Sequence, residues 1–354
     1  MPKVAIIGTT SWGITLGVVL AYYKRLQVRL WARTEQEAAE LRNVGHNPAL
    51  LSGITLPPQL SITCSLSEAL ADVKAVILAV PAQTMRHNIK LVKGYLNGSM
   101  LVLSAAKGLE AGSNKRMSQV ISEEIDPRFH SNICVLSGPN LSREILLGLP
   151  AATVVAAENE AIAKKARKLL SSRSFCVYTN TDVIGVELGG ALKNIIALGA
   201  GMVDGLGYGD NAKAAFITRG LTEITALGAA LGANPLTFSG LAGLGDLIAT
   251  CSSPLSRNHY VGVELTKGRS LEEITKSMTG VAEGVSTTVA AWNLAQQLGL
   301  EMPITGKIYQ VLYKGVDPRQ AAVELMGAEA KHELVGRKWK LFSFFKRRGV
   351  PEIV

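Results

Sequence analysis

A lysine at position 193 sits in the stretch ELGGALKNIIALGAG, where nearly every neighbour is small or apolar. Such a lysine either runs along a helix edge to reach water or is buried with its pKa lowered. A buried lysine with a tuned pKa is a good proton donor or acceptor. A second lysine, Lys107, follows the apolar run of LVLSAAKGLE and precedes a glycine. Placed near Lys193, it would lower that pKa further by like-charge repulsion. Asp246 lies in GLAGLGDLIATC, among glycines that leave its carboxylate little cover except a ligand or partner. SPLSRN then puts Ser256, Arg257 and Asn258 where a helix begins. Hydroxyl, guanidinium, amide and helix N-terminus together suit a phosphate. A capped helix start with a surface arginine is the plainer account of the same residues.

These groups need a frame that brings them together. The runs KVAIIG, VRLWA, AVILAV (75–80), MLVLSA (100–105), NICVLSG (132–138) and AATVVAA (151–157) are predicted strands. The continuous apolar runs among them suit the centre of a parallel sheet covered on both faces. Helical patterns lie between them, from Trp12 to about Lys24 and over TEQEAAELRN, with Thr34 as N-cap. From Val183 onward strand signals fade, and helical spacing covers 183–204, 210–231, 281–298 and 303–314. The expected fold class is therefore α/β: a doubly wound, Rossmann-type, mostly parallel sheet domain over residues 1–181, then an all-helical domain over 182–335. Residues 336–354 form a basic-aromatic tail.

Ligands of open α/β sheets bind at the carboxyl edge of the strands. Lys107, and Gly138 with Pro139, stand just past two such ends. The first strand ends in GTTSWG, which resembles the dinucleotide fingerprint G-x-G-x-x-G. Gly8 and Gly13 hold its outer positions, and Thr10 takes the place of the middle glycine, where it crowds the approach of a pyrophosphate. Arg33, at the end of the second strand, suits the 2′-phosphate of NADP where a carboxylate would suit NAD, so NADP is favoured over NAD. Val281 and Glu283 occupy a glycine-flanked turn before a helix.

Composition narrows the function classes. The chain has 354 residues, 47% of them hydrophobic, and a net charge of +9 concentrated in the tail. The mildly basic body suits an anionic small molecule. Cys64, Cys134, Cys176 and Cys251 are scattered without a C-x-x-C pair, so neither a zinc site nor a disulfide framework is expected, and a cytoplasmic location fits. The longest apolar stretch contains Glu187, Lys193, Asn194 and Asp204, which argues against a membrane span.

In this order and spacing, GTTSWG, SAAKGLE, SGPN, ELGGALKNIIALGAG, GLAGLGDLIATC and LSRN resemble the bacterial-type NAD(P)-dependent glycerol-3-phosphate dehydrogenases over about residues 3 to 330. The resemblance implies reversible reduction of dihydroxyacetone phosphate to sn-glycerol 3-phosphate, a phospholipid precursor. It implies that Lys193 is the general acid/base, and that Lys107, Gly138, Asp246, Ser256, Arg257 and Asn258 hold the substrate. Ser11, Trp12, Arg33, Lys107, Arg257, Val281 and Glu283 would meet the cofactor, with Gly8 and Gly13 shaping its loop. Two departures stand out: Thr10 replaces a glycine, and Asn140, Leu141 and Ser142 replace the usual Ser-Phe-Ala or Thr-Phe-Ala. Asn140 keeps a hydrogen-bonding side chain, and Ser142 adds a hydroxyl on the cofactor side. A β-hydroxyacid or ketopantoate-type reductase shares the domain plan but lacks GLAGLGDL with LSRN; a non-catalytic NADP-binding protein would not need Lys107, Lys193 and Asp246.

The expected substrate is a small phosphorylated three-carbon molecule, with no metal and no nucleic acid. A homodimer is expected from the apolar character of the helical domain. The tail GRKWKLFSFFKRRG has the mix that suits weak contact with an anionic membrane, although a solvated terminus explains it more simply.

Overall fold

The computed structural model describes residues 3–44 and 56–327. The basic-aromatic tail at 336–354, with its membrane-contact reading, lies outside the described residues. Eight strands form one sheet: β1 (Lys3–Ile7), β2 (Gln27–Trp31), β3 (Leu60–Thr63), β4 (Val73–Leu78), β5 (Leu101–Ser104), β6 (Ile133–Ser137), β7 (Ala151–Ala156) and β8 (Phe175–Asn180). Their spatial order is β3-β2-β1-β4-β5-β6-β7-β8. Helices α1 (Ser11–Lys24), α2 (Glu35–Val44), α3 (Leu66–Leu70), α4 (Met85–Val92), α5 (Met117–Glu124), α6 (Ser142–Leu146) and α7 (Glu160–Leu170) alternate with them. After β8 the chain is helical: α8 (Val183–Gly205), α9 (Gly209–Ala230), α10 (Asp246–Ser252), α11 (Arg257–Thr266), α12 (Leu271–Ser277), α13 (Glu283–Leu298), α14 (Pro303–Lys314) and α15 (Pro318–Gly327). The expected fold class is what the structure shows.

Alternation along the strands builds two cores. Val4 and Ile6 of β1 pack with Leu30, Ile77 and Leu103 on one face, where α1 and α7 cover them. Ala5 and Ile7 point the other way, with Val76, Leu78 and Val102 beneath α4 and α5. Period-two side chains with both faces covered give the continuous apolar runs of the sequence.

One expectation needs refinement. The run at 151–157 reads like its parallel neighbours, yet β7 pairs antiparallel with β6, Val135 facing Ala156. The link from Gly138 to Pro150 holds only the short α6 and no full crossover, so the chain turns back on itself at the carboxyl edge. Two strands carried little signal: β3 is short, and β8 is an edge strand with Cys176 and Tyr178 exposed.

The third core surrounds α8. This helix is long and apolar enough to cross a membrane by length and composition, but 83% of its most apolar window is buried inside the protein. A helix that is hydrophobic all round belongs to a core. Its Asp182 N-cap accepts from Gly185 N–H, and the other carboxylate oxygen takes Asn234 N–H and the Thr237 hydroxyl. α11 crosses α8 at backbone contact. A Cβ on Gly201 would fall 2.1 Å from the His259 carbonyl oxygen, and one on Gly262 would fall 2.0 Å from that of Leu198. Only glycine permits this approach, and it brings the start of α11 beside Lys193 and Asn194.

Candidate functional site

Asp246 is the hub of the site. Residues Leu241–Gly245 wind as a single π-helical turn that runs straight into α10, with Asp246 at its first position. Such turns recur at functional sites because they displace the side chains that follow. The Asp246 carboxylate is 2% exposed. Its Oδ2 lies 2.6 Å from Lys107 Nζ, and its Oδ1 lies 2.9 Å from Lys193 Nζ. Lys107 arrives from the loop after β5 and also donates to the carbonyl of Gly138, after β6, at 2.7 Å. Lys193 arrives from the middle of α8. Of the two readings of Lys193, the structure selects burial: its side chain is 7% exposed.

Lys193 also donates to the hydroxyl of Thr250. That hydroxyl lies 2.7 Å from the Asp246 carbonyl and 3.2 Å from Asp246 Oδ1. Sequence reasoning missed Thr250. The available signal was its spacing, four residues after Asp246 on one helix face. Lys107 sits in a setting that loosens its proton: burial, helped by Lys193 and opposed by Asp246, draws its pKa from 10.5 down to about 8. Two cations share one anion here, leaving a net positive site for an anionic substrate.

The SPLSRN residues divide their work. Ser256 is the N-cap of α11 and accepts from His259 N–H at 3.2 Å. Asn258 is buried. Its Nδ2 donates to Asn194 Oδ1 at 2.9 Å, and its Oδ1 accepts from Gly284 N–H at 2.9 Å. It thereby ties α8, α11 and α13 together, and Asn194 is a second residue that the sequence did not single out. Arg257 opens α11. Its guanidinium rests on Gly280, where a Cβ would come within 2.4 Å of Nη1. Val281, beside it, is exposed. Glu283 opens α13, and its Oε1 accepts from Ala82 N–H, past the end of β4, at 3.1 Å. Burial raises the Glu283 pKa to about 7 against the pull of Ala82 N–H and Arg257.

The glycine turn lies at the other end of the same edge. Gly8 adopts φ +110°, and a Cβ there would come 2.7 Å from the Ala79 carbonyl oxygen, so this tight turn requires glycine. Thr10 is the N-cap of α1. Its hydroxyl accepts from Gly13 N–H at 3.1 Å and donates to the Ala79 carbonyl at 2.7 Å. The hydroxyl is thus turned into the protein, tying the turn to the end of β4. Ser11 and Trp12 form the head of α1, and Trp12 packs edge-on against Phe175. Arg33 follows β2 with its side chain 78% exposed. Asn140 donates to the Thr153 hydroxyl at 2.9 Å, and Ser142 opens α6. The structure therefore brings Lys107, Gly138, Lys193 and Asp246 into direct contact. It leaves Arg33 near the glycine turn, and Arg257, Val281 and Glu283 in the helical part, at the head of α11 and before and at the head of α13.

The family profile for the N-terminal part of NAD-dependent glycerol-3-phosphate dehydrogenases matches residues 3–163, and that for the C-terminal part matches residues 182–323. The chain belongs to the NAD-dependent glycerol-3-phosphate dehydrogenase family. A glycerol-3-phosphate dehydrogenase [NAD(P)+] of Dehalococcoides mccartyi is 65% identical over 350 residues, covering 98% of this chain and 97% of that protein. One from Bacillus cytotoxicus is 47% identical, with 94% and 98% covered. The crystal structure of the Coxiella burnetii glycerol-3-phosphate dehydrogenase superposes with a TM-score of 0.87 at 35% identity, covering 92% of this chain and 99% of that one.

The residues present fit the NAD or NADP of this family. The turn at Gly8 brings backbone to the head of a helix, where a pyrophosphate is stabilised. Oδ1 of Asn140 and Oε2 of Glu283 are buried without a protein partner, as acceptors awaiting a ligand donor are.

Proposed function

We propose that the chain interconverts dihydroxyacetone phosphate and sn-glycerol 3-phosphate with NAD(P)H, supplying glycerol phosphate for phospholipid synthesis. Family membership supports the reaction. The observation that carries the residue roles is the Lys107–Asp246–Lys193–Thr250 cluster at the sheet's carboxyl edge. In this reading residues 1–181 hold the dinucleotide, and 182–335 supply the substrate wall.

A dinucleotide held at the carboxyl edge by the glycine turn and the residues after β2 would supply the hydride for carbon 2 of the ketone. Lys193 Nζ gives its proton to the carbonyl oxygen as negative charge develops there, and takes it back in the reverse direction. Asp246 and Thr250 take two positions around the ammonium, which leaves its third N–H for the substrate. Lys107 sets a second positive charge beside the reacting oxygen. Arg257, at the head of α11, receives the phosphate, and Ser256 and Asn258 hold that helix start in place. Trp12, Ser11, Arg33 and Ser142 line the adenine and pyrophosphate side, and Val281 and Glu283 the nicotinamide side.

Four free thiols, two of them exposed, suit a reducing cytoplasm, and we keep the homodimer as the working assembly. The test of the reaction is stoichiometric: one sn-glycerol 3-phosphate formed per NAD(P)H consumed with dihydroxyacetone phosphate. Oxidation of NAD(P)H without that product would refute it.

A further inference from the structure

The sequence offers Arg33 alone at the end of β2. The structure adds a carboxylate. Glu37, in the first turn of α2, accepts from Arg33 N–H with Oε2 at 3.0 Å, and the Thr9 hydroxyl donates to its Oε1. Thr9 belongs to the glycine turn after β1. One carboxylate therefore spans the ends of two neighbouring strands, the place where the adenosine ribose of a dinucleotide lies on this fold. The Arg33 guanidinium sits 3.6 Å from the same carboxylate.

Helix capping explains only part of this. Thr34 caps α2 and accepts from Glu37 N–H at 3.1 Å, the first half of a capping box. The second half would return the glutamate to the N–H of Thr34. Glu37 instead reaches one residue further back and across to Thr9. It also fronts a concavity of about 510 Å³ lined by Arg33, Thr34, Gln36, Glu37 and Glu40, one cation against two carboxylates.

We infer that Glu37 is a specificity-determining residue: it takes the 2′-hydroxyl of NAD and cancels the preference that Arg33 gives to the 2′-phosphate of NADP. The inference rests on the cofactor placement proposed above. An NAD ribose donates its 2′-hydroxyl to Glu37 in place of Thr9. An NADP phosphate draws Arg33 to itself but meets Glu37 at its closest approach. Because attraction and repulsion stand side by side, both cofactors are accepted.

The test is direct binding without substrate. NADH and NADPH are titrated calorimetrically into the wild-type protein, Glu37→Gln and Arg33→Gln, and adenosine 2′,5′-bisphosphate is compared with 5′-AMP as a competitor. Glu37→Gln should weaken NADH and tighten NADPH, moving the ratio of dissociation constants tenfold or more towards NADPH. Arg33→Gln should weaken NADPH alone. Equal changes for both cofactors in Glu37→Gln would overturn the inference and leave Glu37 a helix cap. Wild-type protein keeps the inference falsifiable even if that variant does not fold: the bisphosphate should compete within tenfold of 5′-AMP, and a larger advantage overturns it. Binding of neither dinucleotide would refute the cofactor site itself, a separate outcome from an unmoved ratio.

Discussion

Nζ of Lys193 lies 2.9 Å from Oδ1 of Asp246, although one comes from the middle of α8 and the other from the head of α10. The same carboxylate takes Lys107 from the sheet side. Lys193, Asp246 and Lys107 are thus brought together from three separate elements. Removing either ammonium partner of a buried carboxylate costs stability, but here the second partner remains to compensate the charge. Each member of the cluster can therefore be tested by what its loss does to the others.

In the proposed mechanism Thr250 orients Lys193, to which its hydroxyl is hydrogen-bonded. Thr250→Val should lower kcat by roughly tenfold to a hundredfold, a share of what a positioned acid contributes. KM for dihydroxyacetone phosphate should move far less, and Thr250→Ser should restore kcat. Steady-state kinetics on the three proteins decide it; an unchanged kcat in Thr250→Val removes the orienting role.

Lys107 is charged below about pH 8 and neutral above it, because burial has lowered its pKa from 10.5. An anionic substrate loses an attractive partner as that proton leaves. The expected pH profile of kcat/KM for dihydroxyacetone phosphate falls above about pH 8. Lys107→Arg, which stays charged, should carry the falling limb to higher pH, whatever its absolute rate. The same limb in both proteins would show that another group titrates.

Glu223 lies outside the site and gives a stability prediction. It caps α14, accepting from Ile304 N–H at 2.6 Å and Thr305 N–H at 3.1 Å. Burial, opposed by these donors, raises its pKa from 4.5 to about 7. The folded carboxyl keeps a proton that the unfolded one has released. Its contribution is fully present below about pH 4.5 and is lost as the pH rises through about 7. Glu223→Gln has no such proton. In urea unfolding at pH 5 and pH 8, wild type should lose stability relative to Glu223→Gln as the pH rises. A constant difference between the two proteins would contradict the assignment.

Much of this was legible in the sequence, for a physical reason. Lys107, Lys193 and Asp246 stood out because charges among small and apolar residues are costly unless they meet one another, and they do. Continuous apolar runs pointed to the sheet, but β3 was too short to stand out, and nothing in the run at 151–157 betrays the reversed direction of β7. Thr250 and Asn194 were hidden because a threonine or asparagine within a helix is ordinary until its partner is known. Glu37 was hidden because it acts by folding back from α2 to a strand end. The sequence shows Thr10 in place of a glycine, but not that its hydroxyl caps α1 and ties the turn to Ala79.

In the proposed mechanism Lys193 supplies the proton. The most direct measurement compares turnover and cofactor binding in Lys193→Ala and wild type, with NADH and NADPH. In Lys193→Ala, kcat should fall by about a hundredfold or more, the range for a lost general acid, while the dissociation constants for both dinucleotides stay within a few-fold of wild type. Near-normal turnover in Lys193→Ala would contradict it.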